Sequence, residues 1–171
     1  MVKNLMELPH LSLGFSVSAT TRNRRGSEVD GESYHFISPS QFETHKQQND
    51  FVEWEEVYPG LSYGTLCSEV ENLWSQGLTP VFDVDVIGGQ TLKSVFQDSA
   101  LLLFVMPPSI EELERRLRFR GTEDEESIQK RLSKASRELE AAPAFDVHII
   151  NDDLDRAIAE TSKEVTNFLT P

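Results

Sequence analysis

Cysteine is almost missing from this chain of 171 residues: Cys67 stands alone, so no internal disulfide can form and a reducing compartment is expected. Histidine is sparse too, and His10, His35, His45 and His148 show no ligand spacing of the H-x-x-x-H kind, which argues against a structural zinc. Long apolar runs are lacking; the longest, Ala100 to Met106, falls far below the ~20 residues a membrane-spanning helix needs. The N-terminus has no basic segment followed by a signal-type apolar stretch. Positive charge is scarce, with 16 Lys and Arg against 29 Asp and Glu for a net charge of −13, which disfavours nucleic-acid polymers and anionic membranes as partners. A cytoplasmic protein is expected. Internal repeats, low-complexity tracts and linker-like stretches are absent as well, so one domain over residues 1–171 is expected.

What the chain does have is alternation between short apolar runs and helical patterns. Phe82, Val84 and Val86 alternate with Asp83 and Asp85, predicting a strand that ends at Gly88-Gly89. The run Leu101 to Met106, closed by Pro107-Pro108, predicts a strand buried on both faces, and Val147 to Ile150 a shorter one. Ser38-Pro39-Ser40-Gln41 and Ser109-Ile110-Glu111-Glu112 carry helix start signals. Leu66, Val70, Leu73 and Trp74 form one apolar stripe; Leu154, Ile158, Val165, Phe168 and Leu169 form another. Strands alternating with helices predict an α/β domain with a mainly parallel core sheet. Residues 31–65 depart from that pattern with short, closely spaced apolar pieces, read as a small, mostly antiparallel insertion.

Three groups of residues could carry chemistry. Arg22, Arg24 and Arg25 crowd a short loop in an otherwise acidic chain, either as a cradle for a small phosphate or as a solvated basic loop. Asp83 and Asp85, two apart on the expected strand, would share a face, where they could reach Mg²⁺ through water, accept N–H groups from a base, or simply meet solvent. Arg115, Arg116, Arg118, Arg120, Lys130 and Arg131 alternate with acids. Glu111 with Arg115 and Glu112 with Arg116 are the expected helical ion pairs, and the break at Arg120-Gly121-Thr122 allows either a mobile flap or a salt-bridged surface.

Taken in order, Phe15-Ser16-Val17-Ser18-Ala19-Thr20-Thr21-Arg22, Gly31 to Phe36, Phe51-Val52-Glu53-Trp54, Tyr63-Gly64-Thr65, Asp83-Val84-Asp85-Val86, Pro107-Pro108-Ser109, Arg120-Gly121-Thr122 and Asn151-Asp152-Asp153-Leu154 resemble the guanylate kinase family over nearly the whole chain. The resemblance implies a P-loop kinase fold: a parallel core sheet flanked by helices, a GMP-binding insertion at residues 31–65 and a helical lid at residues 120–141. It implies transfer of the γ-phosphoryl group of ATP to GMP, with Mg²⁺ accompanying the ATP. Carried over, Arg22, Arg25, Tyr34 and Tyr63 would hold the GMP phosphate, and Ser18, Glu53, Thr65 and Asp85 would read guanine. Asp83 would sit near the metal and the transferred phosphate, Arg120 and Arg131 would close from the lid, and Asn151 would lie beside adenine.

The match has departures. Ile87 stands before Gly88 where the family usually has Gln, and one extra residue lies between Trp54 and Tyr63. No G-x-x-x-x-G-K-[ST] phosphate loop occurs in the chain, although the family carries one just before a helix whose tail resembles Val2 to Pro9. The expectation is that these residues are part of a longer kinase, marginal in stability, able to bind GMP and poor at transferring phosphate. The alternative is a non-catalytic module that recognises GMP or phosphopeptides through the same pocket.

Overall fold

The structure, a computed structural model, describes residues 1–121 and 124–170. They fall into two units, one of Val2–Gln97 and one running from Asp98 onward together with Met1.

In the first unit, helix α1 (Val2–Met6) leads to strand β1 (Leu13–Phe15), which pairs in parallel with β6 (Thr79–Val81) in the register Leu13 to Thr79 and Phe15 to Val81. The connection between them includes helix α3 (Cys67–Ser75). A Cβ on Gly14 would come within 2.5 Å of Leu73 Cδ2, so glycine is what lets α3 lie close on β1. Of the stripe expected on this helix, Val70 and Leu73 are buried, while Trp74 is half exposed with its ring edge toward Phe96. Four further strands and a helix intervene. β2 (Ala19–Thr20), β3 (His35–Phe36), β4 (Phe51–Tyr58) and β5 (Leu61–Leu66) form a four-stranded sheet in the order β3-β2-β5-β4. Only the β2–β3 pair is parallel. The β4–β5 hairpin turns at Gly60, whose φ of 78° suits glycine. Its register shifts between Glu56 and Tyr58, inside the stretch that is one residue longer than the family spacing.

Helix α2 (Pro39–Gln48) starts where the sequence predicts. Gln41 N donates to Ser38 Oγ at 3.2 Å and Ser38 N donates back to Gln41 Oε1 at 2.8 Å, completing the capping box. Phe42 anchors this helix against Phe51, ring centroids 4.6 Å apart.

The second unit contains a parallel pair, β7 (Leu103–Met106) with β8 (Val147–Ile150). Asp146 Oδ2 accepts from Leu102 N at 2.8 Å and pins the start of the ladder. Burial on both faces is not what the structure shows, since Val105 and Ile150 are each nearly half exposed. Helix α5 (Ile110–Arg120) is capped by Ser109, whose side chain accepts from Glu112 N, and ends at Gly121 with φ 65°. Helix α6 (Glu125–Ala141) begins at Asp124, whose carboxylate accepts from Ser127 N at 2.8 Å. Leu117, Ile128 and Leu132 are buried between these two helices, with Ile110 and Leu113 packed against them. The expected Arg120-Gly121 break is thus present, while Thr122 lies outside the described residues. Helix α7 (Leu154–Leu169) buries Ala157 and Thr161 and leaves Leu154, the first residue of its expected stripe, half exposed.

Candidate functional site

Helix α4 (Val86–Phe96) corrects the reading of the aspartates. β6 stops at Val81, and Asp83 and Asp85 lie in the connection that follows rather than on a strand. Asp85 is the N-cap of α4, its Oδ1 accepting from Gly88 N at 3.0 Å, and Gly88-Gly89 sit inside the helix. The alternation Phe82 to Val86 has the period of a strand, but an aspartate that accepts a helix N–H competes with the ladder for the backbone.

Strand pairing in the four-stranded sheet assembles the other residues of this cluster. Glu53 on β4 lies opposite Thr65 on β5, and Thr65 Oγ1 donates to Glu53 Oε1 at 2.6 Å. Ser18 immediately precedes the Ala19–Gly64 pair of β2 with β5, and its carbonyl accepts from His35 N. Glu53 is only 6% exposed. Burial raises its carboxyl above the ordinary glutamate value; the Thr65 hydrogen bond opposes that, and the Asp85 carboxylate reinforces it. A Cβ on Gly88 would stand 3.0 Å from Glu53 Oε2, so the absence of a side chain there makes room for the carboxylate.

A second cluster in the same unit is built around Arg22, 8% exposed and two residues after β2. Its Nη2 and Nη1 donate to Glu28 Oε1 and Oε2 at 2.7 and 3.0 Å, and Nη1 also reaches the Asn23 carbonyl at 2.8 Å. The Glu28 hydrogen bonds hold the guanidinium charged, above its ordinary value, against the cost of burial, and Tyr63 adds a further hydrogen bond. Arg22 lies 5.3 Å from the Tyr34 ring centre, and Tyr34 meets Tyr63 edge to face at 5.8 Å. Burial, then Tyr63, then the Asp83 carboxylate raise the Tyr34 phenol above its ordinary value, so the field of the exposed Asp83 reaches this cluster. Arg25 is exposed, and its backbone N–H donates to Glu28 Oε2 at 2.8 Å.

Arg22, Tyr34 and Tyr63 therefore come together as expected, as do Glu53, Thr65 and Asp85. Glu28 was not singled out in the sequence; an acid six residues after Arg22 in a basic loop was the available signal. Gly88, expected only as a strand end, and Phe36, expected only as part of a motif, join these clusters as well, the Phe36 ring lying 5.7 Å from the Arg22 guanidinium.

The second unit carries Arg120, Arg131 and Asn151. Arg120 lines an open cavity of about 530 Å³ with Arg115, Arg116 and Phe119. Arg116 donates to the Asn151 carbonyl at 2.8 Å, tying α5 to the turn after β8 and bringing the cavity beside Asn151. Arg131 is on α6, and is not among the residues lining the cavity. The expected pairing of Glu111 with Arg115 is replaced: Glu112 takes both Arg115 and Arg116 at 2.7 Å, and these arginines lower its carboxyl to about 2. Glu111 instead bonds to Ser109 and the helix N-terminus, which an acid in the first turn favours.

The guanylate kinase family profile matches residues 1–168. The chain belongs to the guanylate kinase family. It is 43% identical over 169 residues to a guanylate kinase of Porphyromonas gingivalis, covering 99% of this chain and 90% of that one. It is 50% identical over 157 residues to a guanylate kinase of Salinibacter ruber, covering 91% and 82%. The crystal structure of guanylate kinase from Anaplasma phagocytophilum superposes with a TM-score of 0.82 at 26% identity, over 99% of this chain and 80% of that one. As in the fold expected of a guanylate kinase, a mixed α/β chain with parallel strand pairs carries the two clusters. Among the described residues, no helix is long and apolar enough to cross a membrane.

Proposed function

We propose that this guanylate kinase binds GMP in the pocket between Glu53 and Arg22 and presents its phosphate as acceptor for the γ-phosphoryl group of ATP, giving GDP and ADP. The observation that carries this reading is the buried Glu53 carboxylate, steadied by Thr65 with Asp85 nearby. Guanine offers N1–H and N2–H₂ donors that one carboxylate accepts together, and its N7 and O6 accept from a hydroxyl such as that of Ser18, while the one hydroxyl proton of Thr65 holds Glu53 in place. Adenine would set an acceptor against Glu53, so AMP is rejected. Arg22, Arg25, Tyr34 and Tyr63 take the phosphate, Arg22 through guanidinium N–H groups held in place by Glu28.

Phosphoryl transfer needs positioning and neutralisation of charge more than a protein nucleophile. Mg²⁺ would supply part of that neutralisation. It keeps waters and phosphate oxygens as ligands, so one protein carboxylate suffices, and the exposed Asp83 fits that need. Arg120 and Arg131 act on the ATP phosphates and Asn151 borders adenine. The 171 residues contain no G-x-x-x-x-G-K-[ST], the loop whose backbone N–H groups and lysine neutralise the donor phosphates, so they bind GMP far better than they turn it over. A cytoplasmic setting accompanies this role.

Calorimetry with GMP, AMP and a phosphoserine peptide tests the reading. Preference for GMP is expected. Preference for the peptide would make the chain a phosphopeptide-binding module instead. Ordinary ADP release from these residues alone would refute the need for the phosphate loop.

A further inference from the structure

We infer that Arg24 is a further recognition residue for the acceptor phosphate, supplying positive charge that Arg22 does not. The inference rests on the GMP reading above. A phosphate monoester carries close to two negative charges at neutral pH, and it must approach a chain of net charge −13 with the Asp83 carboxylate close enough for its field to reach Tyr34. Arg22 is the buried cation of the site, yet its charge is already matched: two of its N–H groups are taken by Glu28 and one by the Asn23 carbonyl. The Arg22–Glu28 pair can orient and donate to a phosphate, but it contributes no net charge. Two cations placed nearby leave the site positive, Arg25 and Arg24.

Arg24 lies two residues after Arg22 in the basic loop. Its guanidinium lies 5.5 Å from the centre of the Phe36 ring, the same ring that Arg22 flanks at 5.7 Å. Phe36 in turn meets Tyr34 edge to face at 5.8 Å. One aromatic ring therefore gathers Arg22 and Arg24 beside the tyrosine pair. The side chain is exposed, and among the described residues it enters no ion pair. A guanidinium on an aromatic face is partly ordered yet keeps its N–H groups for another partner, and a planar fork suits two phosphate oxygens. At an exposed site its contribution is mainly to capture and modest affinity, and it is screened by salt.

The test uses Arg24→Gln and Arg24→Lys in the full chain, with GMP and guanosine as probes by competition calorimetry. At low salt the Gln variant is expected to weaken GMP by about fivefold, the scale of an exposed charge pair, while guanosine is unchanged and the Lys variant recovers most of the loss. The difference should shrink toward none at ~0.5 M salt. Gln binding GMP like the unchanged protein, equal losses for GMP and guanosine, or Lys no better than Gln would overturn the inference. Failure of the unchanged protein to prefer GMP over guanosine would instead count against the GMP reading itself.

Discussion

Thr65 Oγ1 donates to Glu53 Oε1 at 2.6 Å, while Glu53 Oε2 is the atom nearest to where a Cβ on Gly88 would stand, at 3.0 Å. One carboxylate oxygen is thus tied to the sheet and the other sits over the first turn of α4. Burial makes the ionised form costly, and guanine would return that cost by donating to it.

A pH dependence follows with a definite sign. Glu53 has a folded value raised above its unfolded one, so its stabilising contribution is present below the unfolded value and is lost as pH rises through the raised folded value. At pH 7 Glu53→Gln should therefore melt higher than the unchanged protein, with the gap closing on acidification, while GMP binding is lost. Thermal melts across pH together with GMP calorimetry check this; a variant that melts lower at pH 7 contradicts it.

Glu28 holds Arg22 in a fork, and its own carboxyl is lowered by that pair. Its contribution is present above the ordinary glutamate value and is lost as pH falls through the lowered one. Glu28→Gln should weaken GMP by ~10-fold through misplacement of Arg22, with guanosine affinity unaffected. Competition calorimetry with both ligands decides it, and equal losses would mean general disruption.

Gly88→Ala sets two effects against each other. Alanine gains up to ~1 kcal/mol of helix preference inside α4, whereas crowding of Glu53 costs ~1–3 kcal/mol. The expected result is a melting temperature little changed or slightly lowered, and GMP affinity clearly reduced. Undiminished GMP binding would show that Glu53 moves aside freely.

Between α5 and α6, Leu117, Ile128 and Leu132 are buried together. Leu117→Ala should destabilise this helix pair by ~2–5 kcal/mol, because a cavity replaces the lost side chain. Urea titration followed by a probe placed on α6 would register it.

The sequence spoke most clearly where a side chain answers its own neighbourhood. Ser38 and Gln41 cap α2 because the signals for that turn are only three residues apart. The resemblance placed Glu53 and Thr65 in one group of residues, and β4 and β5, adjacent strands of a hairpin, set them opposite each other. Asp85 was misplaced because a strand-like alternation hid a helix cap, and Glu111 because Glu112 can serve two arginines at once. The roles of Glu28, Gly88 and Phe36 stayed silent for a different reason. Their roles depend on what the folded sheet brings beside them, which spacing along the chain does not encode.

The β7–β8 ladder has two members only among the described residues, with Val105 and Ile150 turned partly to solvent. These two side chains give the ladder apolar surface that a second molecule can cover. Concentrated solutions of these residues should turn cloudy sooner than ordinary enzymes of similar size, and light scattering should rise steeply with concentration, even though a charge of −13 keeps the molecules apart at long range.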